Sequence, residues 1–185
     1  MADEDKEFFR ERTLARSKAQ RLARTAEGLV PVDPPSTSQG RMIDVSAKPV
    51  VPREAIAEGF LRLKAETLTA LAEGRGPKGD PFPAAQVAGI LAAKKTPEIV
   101  PFCHPILLTS IDVALAREKE GVRVRATVRT QAQTGVEMEA LAAVTGALLT
   151  VWDMTKALEK DATGNYPGTA IENVRVVSKT KGAPT

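Results

Sequence analysis

Residues 134–160, TGVEMEALAAVTGALLTVWDMTKALEK, decide the fold of this chain. Pro is absent throughout, and the thirteen residues from Ala140 to Trp152 carry no charge. Leu141, Val144, Leu148, Val151, Trp152, Thr155 and Leu158 recur at the three-and-four spacing of a helix face. A neighbouring stripe, Glu139, Ala142, Gly146, Leu149, Asp153 and Lys156, is small or apolar in its middle and ionisable only at its ends. A surface helix has one polar face along its length, whereas this one is apolar nearly all round at its centre. The pattern predicts a central helix buried on two sides, one against its own sheet and one against another body. Gly146 costs about 1 kcal/mol relative to Ala inside a helix, which implies a close backbone approach, and the Ala142, Gly146, Leu149 stripe is read as subunit packing. Thirteen uncharged residues are too few to span a bilayer.

Outward from this helix, strands flank it. A strand is expected over 121–131, where GVRVRATVRT alternates cleanly, with Val122, Val124, Ala126 and Val128 inward and Arg123, Arg125 and Thr127 outward. A turn at Lys119 to Gly121 pairs this strand with another over 107–117. After the helix, an irregular DATGNYPGT loop leads to a last strand, NVRVVS. Upstream, Ala55, Ala57, Gly59, Leu61 and Leu63 share one face of a strand over 53–63. Helices are expected over 64–73 and over 83–95, the second with Val87, Ile90 and Leu91 buried. The three prolines of TPEIVPFCHPI, Pro97, Pro101 and Pro105, predict a stiff loop without regular structure. The order strand, helices, strand, strand, helix, strand is that of an α+β, ferredoxin-like split βαβ sandwich, an antiparallel sheet with helices on one face.

The rest of the chain bounds the partners. Residues 1–40 form an expected charged N-terminal extension, ending in the Pro-rich linker VPVDPPSTSQG, and residues 41–185 the remaining domain. Seven basic and seven acidic residues fall before residue 41, leaving 19 basic against 16 acidic after it. That excess is too small for the basic footprint of a nucleic-acid binder, and aromatics are scarce. It suits a few lysines converging on a small anionic ligand. One cysteine and one histidine exclude an intramolecular disulfide and a Cys/His metal cage. No apolar run resembles a signal peptide or membrane span, so a soluble cytoplasmic protein is expected.

Three polar clusters could carry chemistry: Lys78-Gly79-Asp80, Cys103-His104-Pro105, and the helix ends with Glu137 and Glu139 at one and Asp153 and Lys156 at the other. By composition KGD is first a turn. His104, between Pro101 and Pro105, would be held rigidly with a pKa near working pH. Cys103 and His104 point apart in extended chain, which argues against a Cys–His nucleophilic pair. Asp153 and Lys156, three apart, face each other, either as a surface ion pair or as a proton donor and phosphate ligand. Glu139 lies about 21 Å from Asp153 along the helix, so one small ligand does not reach both. Either one end is catalytic, or a site combines opposite ends from two subunits.

The segments IDVSAKPV, KGD, the CHP loop, TGVEMEAL and WDMTKALEK together resemble the cyclic pyranopterin monophosphate synthase family of molybdenum cofactor biosynthesis, from about Met42 to Lys179. The resemblance implies a ferredoxin-like hexamer, a trimer of dimers with active sites at the dimer interface. It implies a lyase that converts (8S)-3′,8-cyclo-7,8-dihydroguanosine 5′-triphosphate to cyclic pyranopterin monophosphate and diphosphate. By residue, it makes Asp153, Lys156, Lys78 and His104 catalytic, and Phe102, Cys103, His104, Glu137, Met138, Glu139 and Lys179 substrate contacts. No cofactor is implied, although Mg²⁺ can accompany the triphosphate. Phe102 stands where Leu is common, and Thr180, Lys181, Gly182 replace a frequent Gly-Gly-Lys-Ser ending. The alternative is a non-catalytic nucleotide-sensing module on the same fold.

Overall fold

The computed structural model describes residues 40–183. The expected extension and linker thus lie outside the described residues, apart from Gly40. Four strands and four helices follow in the order β1 (Val51–Arg62), α1 (Ala65–Ala72), α2 (Pro81–Lys94), α3 (Thr96–Ile99), β2 (Leu108–Glu118), β3 (Gly121–Ala132), α4 (Glu137–Glu159) and β4 (Ala170–Lys181). The sheet order is β2-β3-β1-β4, and each neighbouring pair is antiparallel. That order and connectivity are the ferredoxin-like α+β arrangement.

Alternation sets the register. Ala57 pairs with Ala126 and Leu61 with Val122, so the apolar sides of β1 and β3 form one surface. Ala55, Ala57, Leu61, Val122, Val124, Ala126 and Val128 are all fully buried there. A one-residue slip would turn every one of them to solvent. Fully burying a side chain such as Leu61 or Leu148 is worth about 1.5–3 kcal/mol, and α4 supplies the other wall with Ala140, Ala143, Val144, Ala147, Leu148 and Val151. The opposite face of the sheet carries ion pairs, among them Glu58–Arg175 at 2.7 Å and Glu54–Arg129 at 2.5 Å.

Helix α4 is wedged between sheet and helix by two glycines. A Cβ at Gly59 of β1 would lie 2.8 Å from both Leu148 Cδ1 and Val144 Cγ1. A Cβ at Gly146 would lie 2.7 Å from Ala92 Cβ and 3.3 Å from the Ala88 carbonyl oxygen. The second body against Gly146 is therefore α2 of the same chain, not another subunit; Leu149 of that stripe is 54% exposed. By length and mean hydropathy α4 also reaches the scale of a membrane span, which the count of uncharged residues had excluded. Val144, Leu148 and Val151 of its apolar stripe are nonetheless fully buried in the core.

Two further expectations need correction. Val87 and Leu91 of α2 are 56% and 50% exposed rather than buried; α2 turns its small residues Ala85, Gly89 and Ala93 inward, because the close crossing with α4 has no room for larger ones. The proline segment holds one regular turn, α3. Pro97 sits in its first turn, where a missing N–H costs nothing.

The C-terminal end of α4 is tied to the start of α1. Glu159, fully buried, accepts from the Lys64 backbone N–H at 3.1 Å and from the Thr169 hydroxyl. The Lys64 ammonium donates to the Lys160 carbonyl at 2.9 Å, satisfying an end-of-helix acceptor.

Candidate active site

The KGD segment is both a turn and a device. Gly79 N–H donates to the Gly76 carbonyl at 3.0 Å, and Gly79 has φ +83°, a conformation that favours glycine. Asp80 then caps α2, accepting from Phe82 N–H at 3.1 Å. This tight entry projects Lys78 onto the C-terminal half of α4, where its Nζ lies 2.5 Å from Asp153 Oδ2. Lys156, one turn on, reaches Asp153 Oδ1 at 2.7 Å. One carboxylate thus sits between two ammonium groups, all three about half-exposed. The Lys156 hydrogen bond, then that of Lys78, holds the Asp153 carboxyl down to about 2. The same contact raises the Lys156 pKa. Tyr166, from the DATGNYPGT loop, packs edge-on against Trp152 with ring centroids 6.0 Å apart, beside this cluster.

At the other end of α4 lies a cleft of about 400 Å³. Its lining combines Ile43, Val45, Phe102 and Met138 with Cys103, His104, Glu137, Arg41 and Lys48. His104 Nε2 lies 2.8 Å from the Ile43 carbonyl oxygen. A carbonyl only accepts, so Nε2 is the donor in this contact. Cys103 Sγ turns the other way, 3.5 Å from Glu139 Oε1. Burial, then the Glu139 charge, pushes the Cys103 thiol up to about 11, which makes it a poor nucleophile.

Glu139 is 1% exposed, and its Oε2 is buried without a hydrogen-bond partner. Burial raises its pKa, so the cleft is backed by a carboxyl group biased toward its protonated form. Glu137 is the contrast. Burial opposes its ionisation, but Lys179, at 2.7 Å, its own backbone N–H and the charge of Arg53 hold its pKa below the usual value. Two carboxyls two residues apart are thereby driven in opposite directions.

The structure therefore brings Phe102, Cys103, His104, Glu137 and Met138 into one cleft, with Glu139 behind it and Lys179 on Glu137. Lys78, Asp153 and Lys156 gather separately, fourteen residues along α4 from Glu139, about 21 Å away. Arg41 and Lys48 had not been assigned a role; Lys48 lies in the IDVSAKPV segment, quoted for its resemblance only, and Arg41 lies two residues before it. Among the described residues, no three of His, Cys, Asp and Glu are grouped as metal ligands.

Residues 42–182 match the model of the MoaC family. A protein of Archaeoglobus fulgidus named probable cyclic pyranopterin monophosphate synthase is 53% identical over 142 residues, covering 77% of this chain and 91% of the relative. Its namesake in Aeropyrum pernix is 55% identical over 141 residues, 76% of this chain and 97% of the relative. One in Methanothermobacter thermautotrophicus, named a probable accessory protein of that synthase, is 49% identical over 141 residues, 76% and 89% of the two chains. With a whole-domain match and relatives at half identity covering three quarters of its length, the chain belongs to the MoaC family.

Proposed function

We propose that this protein is a cyclic pyranopterin monophosphate synthase of molybdenum cofactor biosynthesis, a soluble cytoplasmic lyase acting on (8S)-3′,8-cyclo-7,8-dihydroguanosine 5′-triphosphate. The observation that carries the reading is Asp153 held between the Lys78 and Lys156 ammonium groups, at 2.5 and 2.7 Å. Ring opening and reclosure need several proton transfers. A carboxylate beside a lysine, together with the imidazole of His104, provides groups to carry them. Cyclic phosphate formation joins a substrate hydroxyl oxygen to the α-phosphorus while the bond from that phosphorus to the bridging oxygen breaks and diphosphate leaves. Lysine ammoniums stabilise the charge that builds on the phosphoryl oxygens and the leaving group. Any Mg²⁺ travels with the triphosphate.

The two clusters stand at opposite ends of one helix, which supports a site shared between chains. In this reading Lys78, Asp153 and Lys156 of one subunit complete the cleft of another, within a homohexamer built as a trimer of dimers. Neither nucleic acid nor membrane is a partner. The purified chain, given the cyclic triphosphate, is expected to release diphosphate and a pterin that fluoresces after oxidation. Tight binding without turnover would favour the nucleotide-sensing alternative and sink the enzyme. Mixed oligomers of an inactive Asp153 variant and an inactive Glu139 variant are expected to regain part of the activity. Verified mixed oligomers that stay inactive would rule out the shared site.

A further inference from the structure

The cations placed by the sequence are already engaged: Lys78 and Lys156 hold Asp153, and Lys179 holds Glu137. A triphosphate reaching those ammoniums must compete with carboxylates. The cleft has two other cations, Arg41 and Lys48. Among the described residues, neither has a carboxylate within ion-pair distance. Both lie on residues 41–48, a stretch without helix or strand that runs along the cleft wall.

This stretch is fixed by its own hydrogen bonds. His104 holds the Ile43 carbonyl at 2.8 Å, Gln133 Nε2 donates to the Ser46 carbonyl at 3.4 Å, and Lys48 N–H closes a turn on Val45 at 2.9 Å. Its one carboxylate, Asp44, is turned onto Ser46, accepting from that residue's N–H at 2.8 Å and hydroxyl at 2.6 Å. The result is a short strap that presents two unneutralised cations to a cleft of ligand size and keeps its negative charge occupied.

We propose that residues 41–48 are the phosphate-holding strap of the active site, with Arg41 and Lys48 as direct ligands of the substrate's polyphosphate chain. Arg41 offers a planar fork that grips two phosphate oxygens at once, and Lys48 a point charge. The strap's Ile43 carbonyl also holds the His104 ring at 2.8 Å, so phosphate binding and the orientation of that ring share one backbone segment. This rests on the synthase reading for the identity of the ligand, but the site itself calls only for a polyphosphate.

The test is calorimetric binding of inorganic triphosphate to the full-length oligomer, run beside diphosphate release from the cyclic triphosphate. Charge-assisted hydrogen bonds of about 1.5–3 kcal/mol each predict that Arg41→Gln and Lys48→Gln each weaken inorganic triphosphate binding by roughly tenfold to a hundredfold. KM is expected to rise with kcat nearly kept, as for groups that hold ground state and transition state alike. Lys48→Arg, which keeps the charge, is expected to restore most of the binding; a merely structural loss would lower the melting temperature and resist that rescue. Wild-type turnover with unchanged triphosphate affinity in both Gln variants would overturn the strap and leave the synthase standing. Strap-dependent triphosphate binding with no wild-type turnover would overturn the synthase and leave the strap as a polyphosphate site.

Discussion

Exchanging two small residues tests where Gly146 faces. A methyl at Gly146 would sit 2.7 Å from the Ala92 methyl, against about 3.5–4.0 Å for an ordinary carbon–carbon contact. Helices α2 and α4 must therefore part by about 1 Å, an overpacking cost of about 1–3 kcal/mol. Replacing glycine by alanine also returns about 1 kcal/mol of helix propensity. Gly146→Ala is thus expected to lose between zero and about 2 kcal/mol net. Ala92→Gly alone loses about 1 kcal/mol of propensity, plus a small void. In the double variant the new methyl fills the space the old one left, so the clash disappears and the propensity terms cancel. The deciding quantity is the coupling energy of the cycle, expected at about 1–3 kcal/mol in favour of the double variant. It is read from urea-unfolding midpoints at one fixed protein concentration, with the slope checked for constancy. Additive single effects, within about 0.5 kcal/mol, would mean that residue 146 faces something other than Ala92, and the intrachain crossing would be refuted.

Further outcomes follow from the site and from the C-terminal end of α4. Asp153 is held at about 2 with Lys156 as the larger cause. Its carboxyl titration by NMR is therefore expected to move up in both lysine variants, further in Lys156→Ala than in Lys78→Ala; the reverse order would contradict the geometry. A carboxyl with a lowered folded pKa supports the fold above its unfolded value of 3.8 and withdraws that support as pH falls toward about 2. It also stays ionised through the neutral range, and Asp153→Asn is expected to reduce turnover by roughly 10²–10⁴ while leaving the fold and oligomer intact. The Cys103 thiol, pushed up to about 11 by burial and then by Glu139, is expected to resist iodoacetamide at pH 8 and to react faster as pH climbs toward that value. Glu139→Gln is expected to bring the thiol pKa down, and alkylation at the rate of a free thiol in the wild type would refute the assignment. Glu159→Ala strands two donors, the part-buried Lys64 N–H and the buried Thr169 hydroxyl, and is expected to cost about 2–4 kcal/mol in chemical denaturation; a loss below about 0.5 kcal/mol would show that water replaces the carboxyl group.

The sheet was legible because its signal is periodic and local. Val122, Val124, Ala126 and Val128 alternate with charged neighbours, and all four are fully buried. The long helix was legible for the same reason, and so was the Asp153–Lys156 pair, because residues three apart on a helix always meet. Val87 and Leu91 misled because a helix packed at a close crossing inverts the usual rule: its smallest residues go inward and its larger ones stay out. Glu139 could be named from its motif, but its burial could not, since the wall that covers it comes from a loop 36 residues earlier.

By itself, then, the sequence determined the four strands and the long helix, the shared faces of β1 and β3, and the two ends of α4 where charge returns after thirteen neutral residues. Periodicity reports such features because they depend on neighbours within one or two turns. Only the tertiary structure decided that α2 and not a second subunit lies on Gly146, that Lys78 shares Asp153 with Lys156 across 75 residues of chain, and that residues 41–48 carry two cations along the cleft without a carboxylate partner among the described residues. Each of these depends on which surface meets which once the sheet has closed. The partner of Lys78 is set by the fold that brings the Asp153 carboxylate to 2.5 Å, and nothing in the neighbourhood of Lys78 along the chain carries that information.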